Sequence, residues 1–405
     1  MLLKRKLQYH CLAFVFFILF FGKSFPVFSQ EELVAPPAKT ITSFQFTLLS
    51  GGIVILKATL DNFKDSLNFV LDTGSGGISI DSAVCDRYKL PTVNSDRLVR
   101  GIAGMKYVQF ANHHSLHLPG LSVHDLDFHI NDYEILSTAY GVPIHGIIGF
   151  SFLRRYIVKL DYDLLKIDVL SPGTFKYPKG GYLMNPQFST LPMHYSFIKD
   201  GNEANAKFYF DTGAGLCVLL NDAFVADSNI LHKKRKIFQT QAEGLGGKKE
   251  MQLTVVKEVR LGPYRFRSVP AYIFNDEFNV TSYPVLGGLI GNDILRRFNI
   301  ILNYPEQQIH IRPNSHYVDS FDYSYTGLGF YDLNGAITIT DVVKGSPAEA
   351  AGLREGDIIV GIENNFTNNI LSYKNMLQVP KRTLSVYIMR EGKLETVELT
   401  VKSIL

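Results

Sequence analysis

Short apolar runs, each closed by glycine or by turn-forming polar residues, recur along most of this chain. Ile53 to Thr59, Leu67 to Leu71, Leu253 to Leu261 and Ile309 to Arg312 have the length and spacing of strands. Ile157 to Tyr162, Asn299 to Tyr304 and Ala336 to Val343 read the same way. The predicted class is therefore mainly β. One run differs. Leu12 to Phe21 follows Lys4, Arg5 and Lys6 and precedes Gly22, Pro26 and Ser29. That basic, apolar, small-residue order predicts a secretory signal over 1–29, cleaved after Ser29. The uninterrupted run is shorter than the roughly 20 residues a spanning helix needs. An uncleaved anchor is the alternative, and only then would a membrane be a partner.

Two of the strand-like runs end in the same triplet. Asp72-Thr73-Gly74 follows Asn68-Phe69-Val70-Leu71, and Asp211-Thr212-Gly213 follows Lys207-Phe208-Tyr209-Phe210. Later landmarks repeat in the same order. Gly101-Ile102-Ala103-Gly104 corresponds to Gly244-Leu245-Gly246-Gly247, and the segment from Gly146 to Tyr156 corresponds to that from Gly288 to Phe298. The offsets are 211 − 72 = 139, 244 − 101 = 143 and 288 − 146 = 142, which predicts two homologous lobes. Apolar strands would carry Asp72 and Asp211 to the edge of a core. A lone carboxylate is costly there, but two facing each other share a proton, and such a pair can activate water.

Over roughly residues 42 to 312, this ordered set resembles the aspartic proteases of the pepsin and retropepsin superfamily. Leu71 to Gly74 with Ile147-Ile148-Gly149, and Phe210 to Gly213 with Leu289-Ile290-Gly291, carry the resemblance. The glycine stretches are similar to retropepsin flaps, here held in one chain. Asn292 stands where the retropepsin pattern has Arg. The resemblance implies two β-barrel lobes forming one cleft, with Asp72 and Asp211 as catalytic residues. Thr73, Gly74, Ser75, Thr212 and Gly213 would be supports, and Gly101, Ile102, Gly104, Gly244, Leu245 and Gly247 would form the flaps. It implies general acid–base hydrolysis of peptide bonds without a covalent intermediate or a cofactor. The two sites differ in that Ser75 follows the first triplet and Ala214 the second. A hydroxyl at Ser75 is expected to favour the ionised form of Asp72 and to extend activity toward milder acidity. The alternative reading is a catalytically silent peptide-binding scaffold of the same fold.

A third unit begins near Asn314. Tyr325-Thr326-Gly327-Leu328-Gly329-Phe330 precedes an apolar strand, and Gly345-Ser346-Pro347-Ala348 leads to Gly356-Asp357-Ile358-Ile359. This unit resembles a PDZ domain, a small α+β fold. Gly327, Leu328, Gly329 and Phe330 would be the cradle for a C-terminal peptide, with backbone N–H groups facing its carboxylate. The expected organisation is signal peptide 1–29, lobe 1 over 30–171, connector and lobe 2 over 172–313, and the PDZ unit over 314–405. Ser171 to Pro186 reads as the connector and Pro313 to Tyr325 as a link.

Composition adds little. Lys and Arg number 41 against 38 Asp and Glu, a balance of +3 that predicts no nucleic-acid partner. The basic run from His232 to Lys236 reads as a solvated loop. His113, His114, His117, His124 and His129 lack metal-ligand spacing, so no metal is expected. Cys85 and Cys217, one in each lobe, are expected as buried free thiols. The expected partners are a peptide or protein substrate and a C-terminal peptide ligand, in a secreted or periplasmic setting.

Overall fold

In the computed structural model, which describes residues 35–101, 104–244, 247–281 and 286–405, the doubled pattern becomes two barrels. The first pairs Val54–Leu60, Leu67–Leu71, Gly146–Ile148, Ile78–Asp81, Leu121–Asn131 and Gly104–Leu118 in that order, and Leu60 pairs back onto Leu116 to close the ring. The second uses Pro192–Lys199, Glu203–Phe210, Gly288–Ile290, Val218–Asn221, Tyr264–Phe274 and Gly247–Leu261, closed by Ser196 opposite Leu261. The alternation of strand side chains decides the packing. Val54, Leu56, Ala58 and Leu60 point into the main core. Ile55 and Val70 point outward, where Leu136 and Tyr140 of the helix Glu134–Tyr140 cover them.

A six-stranded sheet joins the lobes. Its order is Thr40–Gln45, Lys166–Leu170, Ile157–Asp161, Phe298–Asn303, Gln308–Pro313 and Tyr182–Met184. The repeat-related strands meet at its centre, with Ile157 opposite Asn303 and Leu160 opposite Ile300. The stretch read as a plain connector therefore contains a strand. Tyr182–Met184 occupies on lobe 2 the edge that Thr40–Gln45 occupies on lobe 1, at an offset of 182 − 40 = 142. Its pattern is too short to stand out in the sequence, and pairing with Gln308–Pro313 supplies what propensity does not.

The third unit is a five-stranded antiparallel sheet of Leu328–Leu333, Ala336–Val342, Ile358–Ile362, Thr383–Arg390 and Lys393–Thr400. It has its own core around Ile337, Ile339, Val386 and Ile388. The helix Pro347–Ala350 starts where the sequence marks it. The Ser346 hydroxyl accepts the Glu349 N–H at 3.2 Å, and Pro347 takes the first helical turn, where its missing N–H costs nothing. The helix Ile370–Met376 is capped by Asn369, which accepts the Ser372 N–H at 2.8 Å. The preceding link is packed: Phe321 sits in the main core, 6.1 Å from Phe266 between ring centroids. Residues 38–405 are one compact unit. The expected signal segment lies outside the described residues. Among the described residues, no helix is long and apolar enough to cross a membrane.

Candidate active site

The two acidic turns meet because each is the end of a buried strand. Leu71 lies parallel to Ile148 and Phe210 parallel to Ile290, and the next N–H groups, of Asp72 and Asp211, donate to the carbonyls of those partners at 3.0 Å each. The threonines then lock the turns across the lobes. Thr73 Oγ1 donates to the Phe210 carbonyl at 2.6 Å and accepts the Thr212 N–H at 3.0 Å. Thr212 Oγ1 donates to the Leu71 carbonyl at 3.0 Å and accepts the Thr73 N–H at 3.1 Å. Both threonines are buried, so all four bonds are shielded from competing water. Each glycine lies beneath the opposite aspartate. A Cβ at Gly74 would run into the Asp211 carboxyl, and one at Gly213 into that of Asp72.

Asp72 and Asp211 share a hydrogen bond. Burial drives the Asp72 pKa far above the usual carboxylate value, and the neighbouring Asp211 charge raises it further. Burial also raises Asp211, but the hydrogen bond from Asp72 and the N–H groups of Gly213 and Ala214 oppose it. The pair therefore holds a proton more tightly than a free carboxyl would, and its titration belongs to the two groups together. Among the described residues, no hydrogen bond joins the Ser75 hydroxyl to Asp72. Each aspartate is supported by two backbone N–H groups, Asp72 by those of Gly74 and Gly213 and Asp211 by those of Gly213 and Ala214.

The raised pair gives a sign for stability. Each aspartate has a folded-state pKa above its unfolded value of 3.8, so the native state binds the extra proton and loses stability as pH rises through the folded pKa. Asp72→Asn keeps the shape and removes the titration. Its stability relative to the parent is expected to grow by about 1 kcal/mol or more between pH 4 and pH 8. Thermal melts at both pH values check this, and an unchanged difference would contradict the assignment.

An asymmetry breaks the repeat just beside the pair. Tyr162 and Tyr304 are equivalent (304 − 162 = 142), as are Phe150 and Asn292 (292 − 150 = 142). Tyr162 donates to Asn292 Oδ1 at 3.2 Å, and Asn292 Nδ2 donates to the Gly52 carbonyl. The Asn that replaces the retropepsin Arg thus ties the lobes from within. Tyr304 instead faces Phe150, with ring centroids 6.2 Å apart, and its buried hydroxyl has no hydrogen-bond partner among the described residues. Burial and both aspartates raise its pKa well above the ordinary value. Leaving a buried hydroxyl unpaired costs about 1–3 kcal/mol. Tyr304→Phe is accordingly expected to keep or raise stability, by up to about 1 kcal/mol in urea titration. A loss of that size would show that the hydroxyl is engaged.

Around the pair, Tyr133 is buried, hydrogen-bonded to Ser79 at 2.6 Å, and pushed up to about 12 by burial. No sequence pattern singled it out. The hairpins expected as flaps are present: Val93–Gly101 pairs with Gly104–Leu118, and Phe238–Gly244 with Gly247–Leu261, with Gly101 opposite Gly104 and Gly244 opposite Gly247. Gly247 has φ +116°, a conformation that requires glycine. Ile102 and Leu245, at the tips, lie outside the described residues.

Cys85 and Cys217 are free and buried. Cys217 donates to Asp293 at 3.0 Å, and burial raises both thiols, Cys85 to about 11, so neither is a nucleophile. Within the basic run, Arg235 pairs with the buried Asp200 rather than hanging in solvent. His113 and His114 bond Asp125 and Asp61 at 2.7 and 2.6 Å. Among the described residues, no group of three or more His, Cys, Asp or Glu is placed for a metal. In the third unit Gly327 has φ +66° and accepts the Val343 N–H at 2.8 Å, Leu328 is half-buried, and Phe330 packs into that unit's core.

Residues 56–152 and 198–294 both match the aspartyl protease family model, and residues 324–401 match the PDZ domain model. Among curated proteins, the chain is similar to probable periplasmic serine endoproteases, DegP-like, from Chlamydia muridarum and Chlamydia trachomatis, at 41% identity over 68 residues in each case. A DegP-like relative from Chlamydia pneumoniae is 34% identical over 65 residues. These matches cover 16% of this chain and 13–14% of each relative.

Proposed function

For a chain made of two aspartyl protease repeats followed by a PDZ domain, we propose an aspartic endopeptidase acting on exported or periplasmic polypeptides. The observation that carries the reading is the buried pair of Asp72 and Asp211, held face to face by the threonine lock between the lobes. The ionised carboxylate of the pair takes a proton from water as the water oxygen attacks the scissile carbonyl carbon. The other carboxyl, protonated, donates to the carbonyl oxygen. Collapse of the tetrahedral species breaks the C–N bond, with a proton passing to the leaving amine. The flap hairpins cover an extended substrate, and the PDZ unit holds a second peptide segment. The DegP-like relatives are named as serine endoproteases, and here the protease-type pair is made of carboxylates instead. Residues 1–29 would direct export, 30–171 and 172–313 would be the lobes, and 314–405 the peptide-binding unit.

The test is digestion of a mixed peptide library by the purified chain, from about pH 3 to about pH 8, beside the two Asp→Asn variants. Cuts that vanish in both variants support the reading. A folded chain that cuts nothing leaves the silent scaffold in its place.

A further inference from the structure

The groove beside the glycine loop lies between the strand Leu328–Leu333 and the helix Ile370–Met376, with Leu328 to Tyr331 on one wall and Lys374 and Leu377 on the other. Leu328–Leu333 is indeed an edge of its sheet, open on one side to strand addition. That side is not left to solvent. The lobe-1 helix Glu134–Tyr140 packs against the strand, and Lys374 of the groove helix donates to the Ala139 carbonyl at that helix's C-terminal end. Gly141 follows with φ +66° so close to Ile370 that a Cβ would run into it. Lobe 2 closes the other end. Tyr325 donates to the Gln239 carbonyl on the flap strand Phe238–Gly244 at 2.9 Å, its ring 4.8 Å from that of Phe238. Lys248, on the second flap strand, lies 4.8 Å over the Tyr331 ring.

What remains of the groove is a cavity of about 310 Å³ at the glycine loop. Leu328, Gly329 and Phe330 come from the loop, Leu377 from just beyond the groove helix, and Thr240 and Gln241 from the flap strand. Its size suits a terminal residue and its carboxylate. Residues further upstream, at about 3.3 Å each along the edge strand, must enter the space taken by Glu134–Tyr140. Lys374 is balanced on the cavity wall by Asp322 and Asp341, so net charge does not attract an anion there. Asp322 is itself held by the Ser324 N–H at 2.8 Å. A terminal carboxylate would instead be held by the N–H groups of the glycine loop.

We propose that this cavity is a composite site for the free C-terminus of a peptide, walled by both lobes, and that a peptide of several residues binds by displacing the helix Glu134–Tyr140 and thereby alters turnover at the aspartate pair. The route is short. Tyr133, directly before that helix, holds Ser79 at 2.6 Å on the strand Ile78–Asp81, which follows the Asp72 turn. The flap strand on the opposite wall is the second route. The inference rests on the peptidase and peptide-binding reading above.

The experiment uses the full chain with a panel of hexapeptides ending in different apolar residues, each with a free C-terminal carboxylate and again as the amide. Binding is followed by fluorescence anisotropy and hydrogen exchange by mass spectrometry. Turnover is followed on an internally quenched substrate blocked at both ends. At least one carboxylate peptide is expected to bind, its amide at least tenfold more weakly. Binding should raise exchange over 134–141 and change turnover by about fivefold or more. Tyr325→Phe, which removes the hydrogen bond to the flap strand with no change of charge and leaves the aspartates untouched, is expected to tighten the same peptide about fivefold. Binding without change in exchange over 134–141 and 238–244 overturns the composite site while leaving a peptide-binding unit. No binding by any peptide overturns both. A chain that cuts nothing fails the peptidase reading alone, since binding and exchange still test the site.

Discussion

Asp72→Asn and Asp211→Asn are each expected to lower kcat on any cleaved peptide by at least about a thousandfold, the scale of a removed general acid or base. The two carboxyls act as one unit with one shared proton, so the double variant is expected to be no worse than either single one. Loss of fold does not explain such a result, because the lock between the lobes uses Thr73, Thr212 and the carbonyls of Leu71 and Phe210, none of them an aspartate side chain. Asn accepts the Gly74 and Gly213 N–H bonds as Asp does, at 2.6 and 2.8 Å in the parent. An Asp211→Asn enzyme with activity near that of the parent would remove Asp211 from the mechanism. The acidic limb of the parent's profile reports protonation of the pair, not of either residue alone.

The aspartates, the threonines, the flap strands and the lobe repeat were readable because each is a local pattern repeated at nearly constant offset. The glycine loop and the Ser346-Pro347 helix start were readable because capping and backbone freedom act over a few residues. What stayed hidden acts across the chain. Nothing near Asn292 announces that it reaches Gly52, 240 residues away. Nothing near Tyr304 shows that its equivalent partner has become Phe150. The proton affinity of the pair stayed hidden for the same reason: Ser75 is the obvious local difference, yet burial by residues distant in the chain is what raises both carboxyls. The packing of the groove strand against lobe 1 leaves no trace in either segment alone, since the groove residues suit an exposed site equally well.

Arg297→Ala is expected to cost about 3–5 kcal/mol, the usual range when one partner of a buried charged network is removed. Its side chain is 1% exposed and reaches four carbonyls at the join between lobe 2 and the third unit. The guanidinium donates to Asp293 at 2.8 Å, to Ser320 and His316 at 3.4 and 3.5 Å, and to Asp319, and it stacks 4.1 Å from the Phe321 ring. Burial lowers its pKa while Asp293 resists that shift, and the permanently charged guanidinium has its lost hydration replaced by this cage. Lys offers a point charge and no planar fork, and Arg297→Lys is expected to recover less than half of the loss. The loss has a location as well as a size. With the link 315–321 no longer pinned to lobe 2, the third unit should unfold or detach before the barrels, splitting one urea transition into two. The repeat-related Arg155 is a control, since it donates to the carbonyls of His124 and Asp125 at 2.9 and 3.2 Å but holds no second domain. Arg155→Ala should leave the transition single. If Arg297→Ala unfolds in one step with less than about 1 kcal/mol lost, the link is held by its aromatic packing and not by the buried guanidinium.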